Sequence, residues 1–252
     1  MGTLRLRPGT VAWRAWRLML VNTAEAMRTN VGVELAPRRV CAARDTPGTL
    51  TCVTDASGND GVGGYAFFTD RPAEVWIASE HWPASVLAAL DQAAARAHER
   101  TSSRLLPMPA AELYGAWAIA GAAMADINAS RGRVTRVVAV GDCAPAAQVL
   151  HEARSGNEIM RATLRGARQL TGEWVAVAIP RTLNLDADRL SHPEHLPEVA
   201  AEAERAGLRV HIVRIRSESW TTLEAAIQTA AAAAAATPGG VVRTTHATMH
   251  ET

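Results

Sequence analysis

Two short valine-rich runs, Val134–Val140 (VTRVVAV) and Trp174–Ile179 (WVAVAI), stand on either side of two helix-forming stretches, Ala144–Ala153 and Asn157–Leu170. Runs of this length without polar alternation fit strands buried on both faces, and strands separated by helices pair in parallel through crossovers. This restricts the chain to the α/β class. Upstream, Thr49–Thr54 (TLTCVT) is β-prone, Gly58, Gly61, Gly63 and Gly64 mark a turn, and Tyr65–Phe68 resumes extended structure. A hairpin is expected there, with Glu74–Ala78 (EVWIA) as a third strand.

Pro83–Arg100 and Pro109–Asn128 read as helices, the second with Leu113, Trp117, Ala120 and Met124 at helical spacing behind a proline that a helix start tolerates. Helical segments Asp186–Leu190, Pro197–Ala206 and Thr221–Ala236 and a strand-like run Leu208–Ile215 complete the pattern. A further amphipathic helix is expected over Ala12–Met27, with Trp13, Trp16, Leu20 and Ala24 along one face. The same stretch carries Arg5, Arg7, Arg14 and Arg17 with no acid before Glu25, a pattern shared with mitochondrial presequences. Trp76, Trp82, Trp117, Trp174 and Trp220 are expected in the core.

A net charge of +1 over 252 residues argues against a chain that binds polyanions over its whole surface, though a local basic groove remains open. Cys41, Cys52 and Cys143 form no CxxC pair and no even set, so neither a disulfide framework nor a zinc site is expected. No run approaches the roughly 20 apolar residues that span a bilayer, so no membrane partner is expected.

Four acids stand at the places where side chains converge on a sheet edge. Asp55 ends a β run (TDAS), Glu112 lies in the first turns of a helix (AELYGAW), Asp142 follows the strand VVAV, and Asp188 opens a helix after WVAVAIP. Asp186 is a competitor for the last position. Singly, such acids also serve as helix caps or dipole partners.

TDAS, the glycine hairpin GVGGYAF, AELYGAW, VVAVGD and IPRTLNLDADRLSH together resemble the ribonuclease H domain of retroelement reverse transcriptases, over Leu50–Pro193. An Asn, a short spacer and ADxLS is the most specific of these blocks. A fainter similarity extends outward: AWRLMLVNTAEAMRTNVGVELAPRR resembles the segment joining polymerase and ribonuclease H in tyrosine-recombinase-type elements, and LSHPEHLPEVAAEAERAGLRV resembles their C-terminal extension. The sequence departs from the pattern at Cys143, in the missing tryptophan of the glycine turn, and in an insertion around Glu80–Met108.

The resemblance implies a ribonuclease H-like α/β fold, a mixed five-stranded sheet flanked by helices, with an N-terminal helix and a C-terminal extension. It divides the chain into an N-terminal helix and connection segment (1–48), the ribonuclease H-like domain (49–195), a helical extension (196–236) and a disordered tail (237–252). It also implies that Asp55, Glu112, Asp142 and Asp188 hold two Mg²⁺ ions, with Mn²⁺ as substitute, for hydrolysis of the RNA strand of an RNA–DNA hybrid. Asp55 would bridge both ions, Glu112 and Asp142 would serve the leaving-group side, and Asp188 the water side. Ser57, Arg161, Arg165 and Arg189 are candidates for holding the nucleic acid; Arg154 and Arg168 lie on either side of the two middle arginines, and Arg161, Arg165 and Arg168 share helical spacing. His192 and His195 form an HxxH pair that fits a surface turn. With no polymerase sequence present, a polymerase domain or a larger ribonucleoprotein is an expected partner. The alternative is a domesticated fold acting as a structural subunit of such an assembly. An integrase- or resolvase-type role is disfavoured by ADRLSH.

Overall fold

The computed structural model describes residues 46–58, 60–96, 106–171 and 173–235. The expected N-terminal helix, its arginines, Cys41 and the tail from Thr237 lie outside the described residues. The elements run β1 (Thr49–Ala56), β2 (Gly61–Phe68), β3 (Glu74–His81), α1 (Ala84–Arg96), α2 (Met108–Ala129), β4 (Arg136–Gly141), α3 (Ala144–Glu152), α4 (Glu158–Leu170), β5 (Glu173–Ala178), a 3₁₀ turn (Arg181–Leu183), α5 (Leu185–Leu190), a second 3₁₀ turn (Pro193–His195), α6 (Leu196–Arg205), β6 (Arg209–Ile212) and α7 (Ser217–Ala235).

The fold is α/β, with one mixed sheet in the order β5-β4-β1-β2-β3-β6. Strands β1, β2 and β3 form an antiparallel meander, while β4 joins β1, β5 joins β4 and β6 joins β3 in parallel. Five strands therefore point one way and β2 alone runs against them. The expected five-stranded sheet is corrected to six. β6, inside the segment expected to be a helical extension, covers the outer edge of β3. An uncovered strand edge presents unpaired backbone groups, and this pairing satisfies them.

One face of the sheet carries α1, α2, α3, α4 and α7, and the other carries α5 and α6. α2 is buried almost all round from Ala110 to Met124, because it lies between the sheet and the outer helices. A helix apolar on every side suits that position. β4 is buried as expected, but β5 is an edge strand and its residues Trp174–Ala178 are only partly buried. Trp76, Trp82, Trp117 and Trp220 are in the core.

The glycines of β2 form no turn. The strand starts at Gly61, and the hairpin turn spans only the residues just before it. Close packing explains the composition: a Cβ on Gly63 would lie 1.8 Å from the carbonyl oxygen of Leu190, at the end of α5. The Ser79 hydroxyl donates to that same carbonyl. Together they seat α5 directly on β2 and β3, which fixes where Asp188 and Ser191 stand.

α7 belongs to the main core through Trp220, Leu223, Ala226, Ile227 and Ala231, packed against α1 and α4. Ile227 is fully buried. Ile227→Ala should destabilise the whole fold by about 2–3 kcal/mol in a single denaturation transition. A separate early transition, with the rest of the fold unmoved, would show that α7 is an independent appendage.

Candidate active site

The parallel strands β1 and β4 end side by side, and each delivers an acid at its carboxyl end. Asp55 is the penultimate residue of β1, and Asp142 follows Gly141 at the end of β4. Glu112 comes from the first turns of α2, and its carboxylate reaches the same edge. Carboxylate oxygens of Asp55, Glu112 and Asp142 all lie within 4.8 Å of one another, with Asp55 and Glu112 buried. Asp188 stands outside that radius, but its charge acts on Asp55. Asp186, its competitor, is turned to Arg189 at 3.5 Å and to Tyr65, away from the trio.

The electrostatics of the trio are strained in one direction. Burial, then the charges of Asp55 and Asp142, push the Glu112 carboxyl up to about 9, while the Ala56 amide pulls it the other way. Burial also raises Asp55, with Asp142 and Asp188 adding to the effect and the Ser191 hydroxyl opposing it. A protonated Glu112 donates to Asp55, so without a cation the pair holds a proton between them. Burial chiefly raises the Cys143 thiol beside the three acids as well, so it remains neutral. It is therefore no thiolate nucleophile.

The chemistry of this donor set fits a hard divalent cation. The ligands are oxygens alone, as Mg²⁺ and Mn²⁺ prefer, with no imidazole or thiolate of the kind that selects zinc. Like charges brought this close in a dry site require either protons or a cation. Among the described residues, no helix is long and apolar enough to cross a membrane.

The candidate nucleic-acid residues are divided. The Ser57 hydroxyl, two residues past Asp55, donates to Asp60 at 2.9 Å, and His192 Nδ1 meets the same carboxylate at 3.0 Å. His195 instead lies 3.9 Å from Glu198, so the two imidazoles serve different partners. Arg161 and Arg165 both pair with Glu158 on the surface of α4, the latter at 3.3 Å. On the same stretch Arg154 pairs with Glu152, and Arg168 donates to the Ala153 carbonyl. Arg189 is held by Glu202 at 3.0 Å, Glu198 at 3.1 Å and Asp186, and so links α5 to α6. None of Arg161, Arg165 and Arg189 is paired with a member of the acidic cluster.

Three residues that sequence reasoning passed over are at the site. Ser191, 1% exposed, places its hydroxyl beside Asp55 and 2.8 Å from the Asp188 carbonyl. Asn184, also 1% exposed, donates through Nδ2 to the Thr54 carbonyl at 3.0 Å. Arg181 places Nη2 3.0 Å from Asp188 Oδ1. All three belong to the block IPRTLNLDADRLSH; Asn184 and Ser191 were part of its signature without a role assigned, and Arg181 lay outside the signature.

Among solved structures, the chain is similar to ribonuclease H1 from the halophilic archaeon Halobacterium salinarum NRC-1. The identity is 19%, the match covers 60% of this chain and 97% of that one, and the TM-score is 0.37. No protein-family profile matches the sequence, and no curated protein matches it.

Proposed function

We propose that this protein is a divalent-metal-dependent endonuclease that cuts the RNA strand of RNA–DNA hybrids, and that it descends from a retroelement reverse transcriptase. The observation that carries the reading is the convergence of Asp55, Glu112 and Asp142 within 4.8 Å at the carboxyl ends of two parallel strands. The sequence blocks quoted above supply the choice of substrate. Residues 49–195 would hold the catalytic core, with β6 and α7 completing its packing.

Asp55, Glu112 and Asp142, with Asp188 beside Asp55, would hold two Mg²⁺ or Mn²⁺ ions. Such a pair, when bound, supplies Lewis acidity and an activated water for in-line phosphoryl displacement. The remaining work falls to the chain. Asp55 and Glu112 give up the proton between them to become ligands. The Ser191 hydroxyl, beside the Asp55 carboxylate, would help orient it, and its own position is fixed by the α5 seat on Gly63. Ser57, turned by Asp60, stands where the hairpin meets the edge and would contact the sugar–phosphate chain. Discrimination of RNA would come from its 2′-hydroxyl.

The test is cleavage of end-labelled RNA–DNA hybrid, duplex DNA and single-stranded RNA in magnesium. Cutting confined to the RNA of the hybrid and stopped by a chelator is the expected result. A folded protein that cuts nothing in magnesium or manganese would overturn the reading.

A further inference from the structure

We propose that Arg181 is the phosphate-binding residue of this site, resting on Asp188 in the free protein and passing to a substrate phosphate when nucleic acid arrives. This rests on the nuclease reading above. Three adjacent parallel strands, β1, β4 and β5, end on one edge. The first two deliver Asp55 and Asp142, and the third leads through Pro180 into the turn that begins at Arg181. Ligands of parallel sheets bind at that edge.

The backbone of this turn is tied down at both ends. Before it, the Ile179 amide donates to the Gly141 carbonyl at 2.8 Å, next to Asp142. After it, the buried Asn184 donates to the Thr54 carbonyl at 3.0 Å, next to Asp55. Leu183 N donates to Pro180 O and Asn184 N to Arg181 O, which closes the turn. Each tether lands on the residue that precedes an acid, so the turn and the acids are held in mutual register.

The side chain, by contrast, is held only lightly. It is 79% exposed, and its hold on the protein is the ion pair with Asp188. Exposed pairs of this kind are weak, so a stronger anion displaces them readily. Asp142 and Asp55 also act on the guanidinium. Among the described residues, Arg181 is the only cation paired with any of the four acids.

That matters because a cluster of carboxylates repels a phosphodiester, and a nearby positive charge offsets the repulsion. A guanidinium does so with geometry as well as charge, since its planar fork matches two phosphate oxygens. It does not deprotonate in the physiological range, so its role is to bind and orient, not to deliver a proton.

The test compares Arg181→Ala and Arg181→Lys with wild type by cleavage rates and by hybrid binding at several salt concentrations with magnesium chelated. Arg181→Ala should lower kcat by about 10²-fold, and its logarithmic salt slope for binding should shrink by about one. Arg181→Lys should restore the slope but only part of the rate, because it lacks the fork. Mn²⁺ binding to the free protein should survive in Arg181→Ala. A wild-type rate and slope in Arg181→Ala, or loss of its Mn²⁺ binding, would overturn the assignment and leave the nuclease reading standing. A wild type that neither binds nor cuts the hybrid would remove both.

Discussion

Asp55→Asn should lower RNA cleavage by about 10³-fold or more, equivalent to about 4 kcal/mol of transition-state stabilisation. The position is central to the cluster. Asp55 accepts from Glu112, and the charges of Asp142 and Asp188 both act on it. Asparagine keeps the shape, so Ser191 still has a partner, but the anionic oxygen that would serve both ions is gone. The loss cannot be assigned to misfolding, because removing one of several buried like charges relieves repulsion. The variant should therefore melt at or above the wild-type temperature. Single-turnover cleavage of labelled hybrid, read beside a thermal melt, checks both halves. A well-folded variant cutting within tenfold of wild type would mean that the acids are not the catalytic centre.

In the absence of divalent cations, the protein should lose stability as pH rises from about 5 to about 9. The ordinary value for Glu112 is 4.5 and its folded value is about 9, with Asp55 shifted in the same direction. Between those limits the folded protein binds more protons than the unfolded chain, so the stabilisation is fully present at low pH and drains away as the site ionises. The slope for one such group is at most about 1.4 kcal/mol per pH unit, so pH 6 to 9 spans up to about 4 kcal/mol. Magnesium should flatten the curve, because the cation replaces the proton and stabilises the folded state by mass action. Glu112→Gln should flatten it as well, by removing the ionisable group. Urea titrations at pH 6, 7.5 and 9, in chelator and in magnesium, measure this directly. Parallel curves with and without metal would show that no cation enters the cluster.

The order of elements could be read from the sequence because each has its own period. The valine run of β4 and the apolar spacing of α2 both survive into the structure with small shifts of their ends. All four acids were visible for a related reason: each sits where a strand stops or a helix starts, and those boundaries are local features. What was not readable is whatever depends on a distant partner. Gly61, Gly63 and Gly64 look like turn residues until Glu80, Leu190 and Val53 respectively are seen pressing against them. The arginines show the same limit. Arg161, Arg165 and Arg189 are as basic as Arg181, but carboxylates brought up by folding hold the first three elsewhere. Arg181 differs in its pairing with Asp188 and in the tethering of its turn to Gly141 and Thr54. The strand character of β6 was legible in Leu208–Ile215, but its place beside β3 was not, since the partner strand lies far upstream.

The late arrival of β6 has a consequence for biosynthesis. β3 is complete once His81 has left the ribosome, but its outer neighbour, paired at Ile77 with Ile212, emerges more than a hundred residues later. Until then a nascent chain carries an open strand edge containing Val75, Trp76 and Ile77, the kind of edge that recruits other chains. Pairing over so long a separation also slows folding. Sealing of the sheet therefore waits until β6 has been made, and products interrupted before it are the ones exposed to aggregation and to chaperone capture.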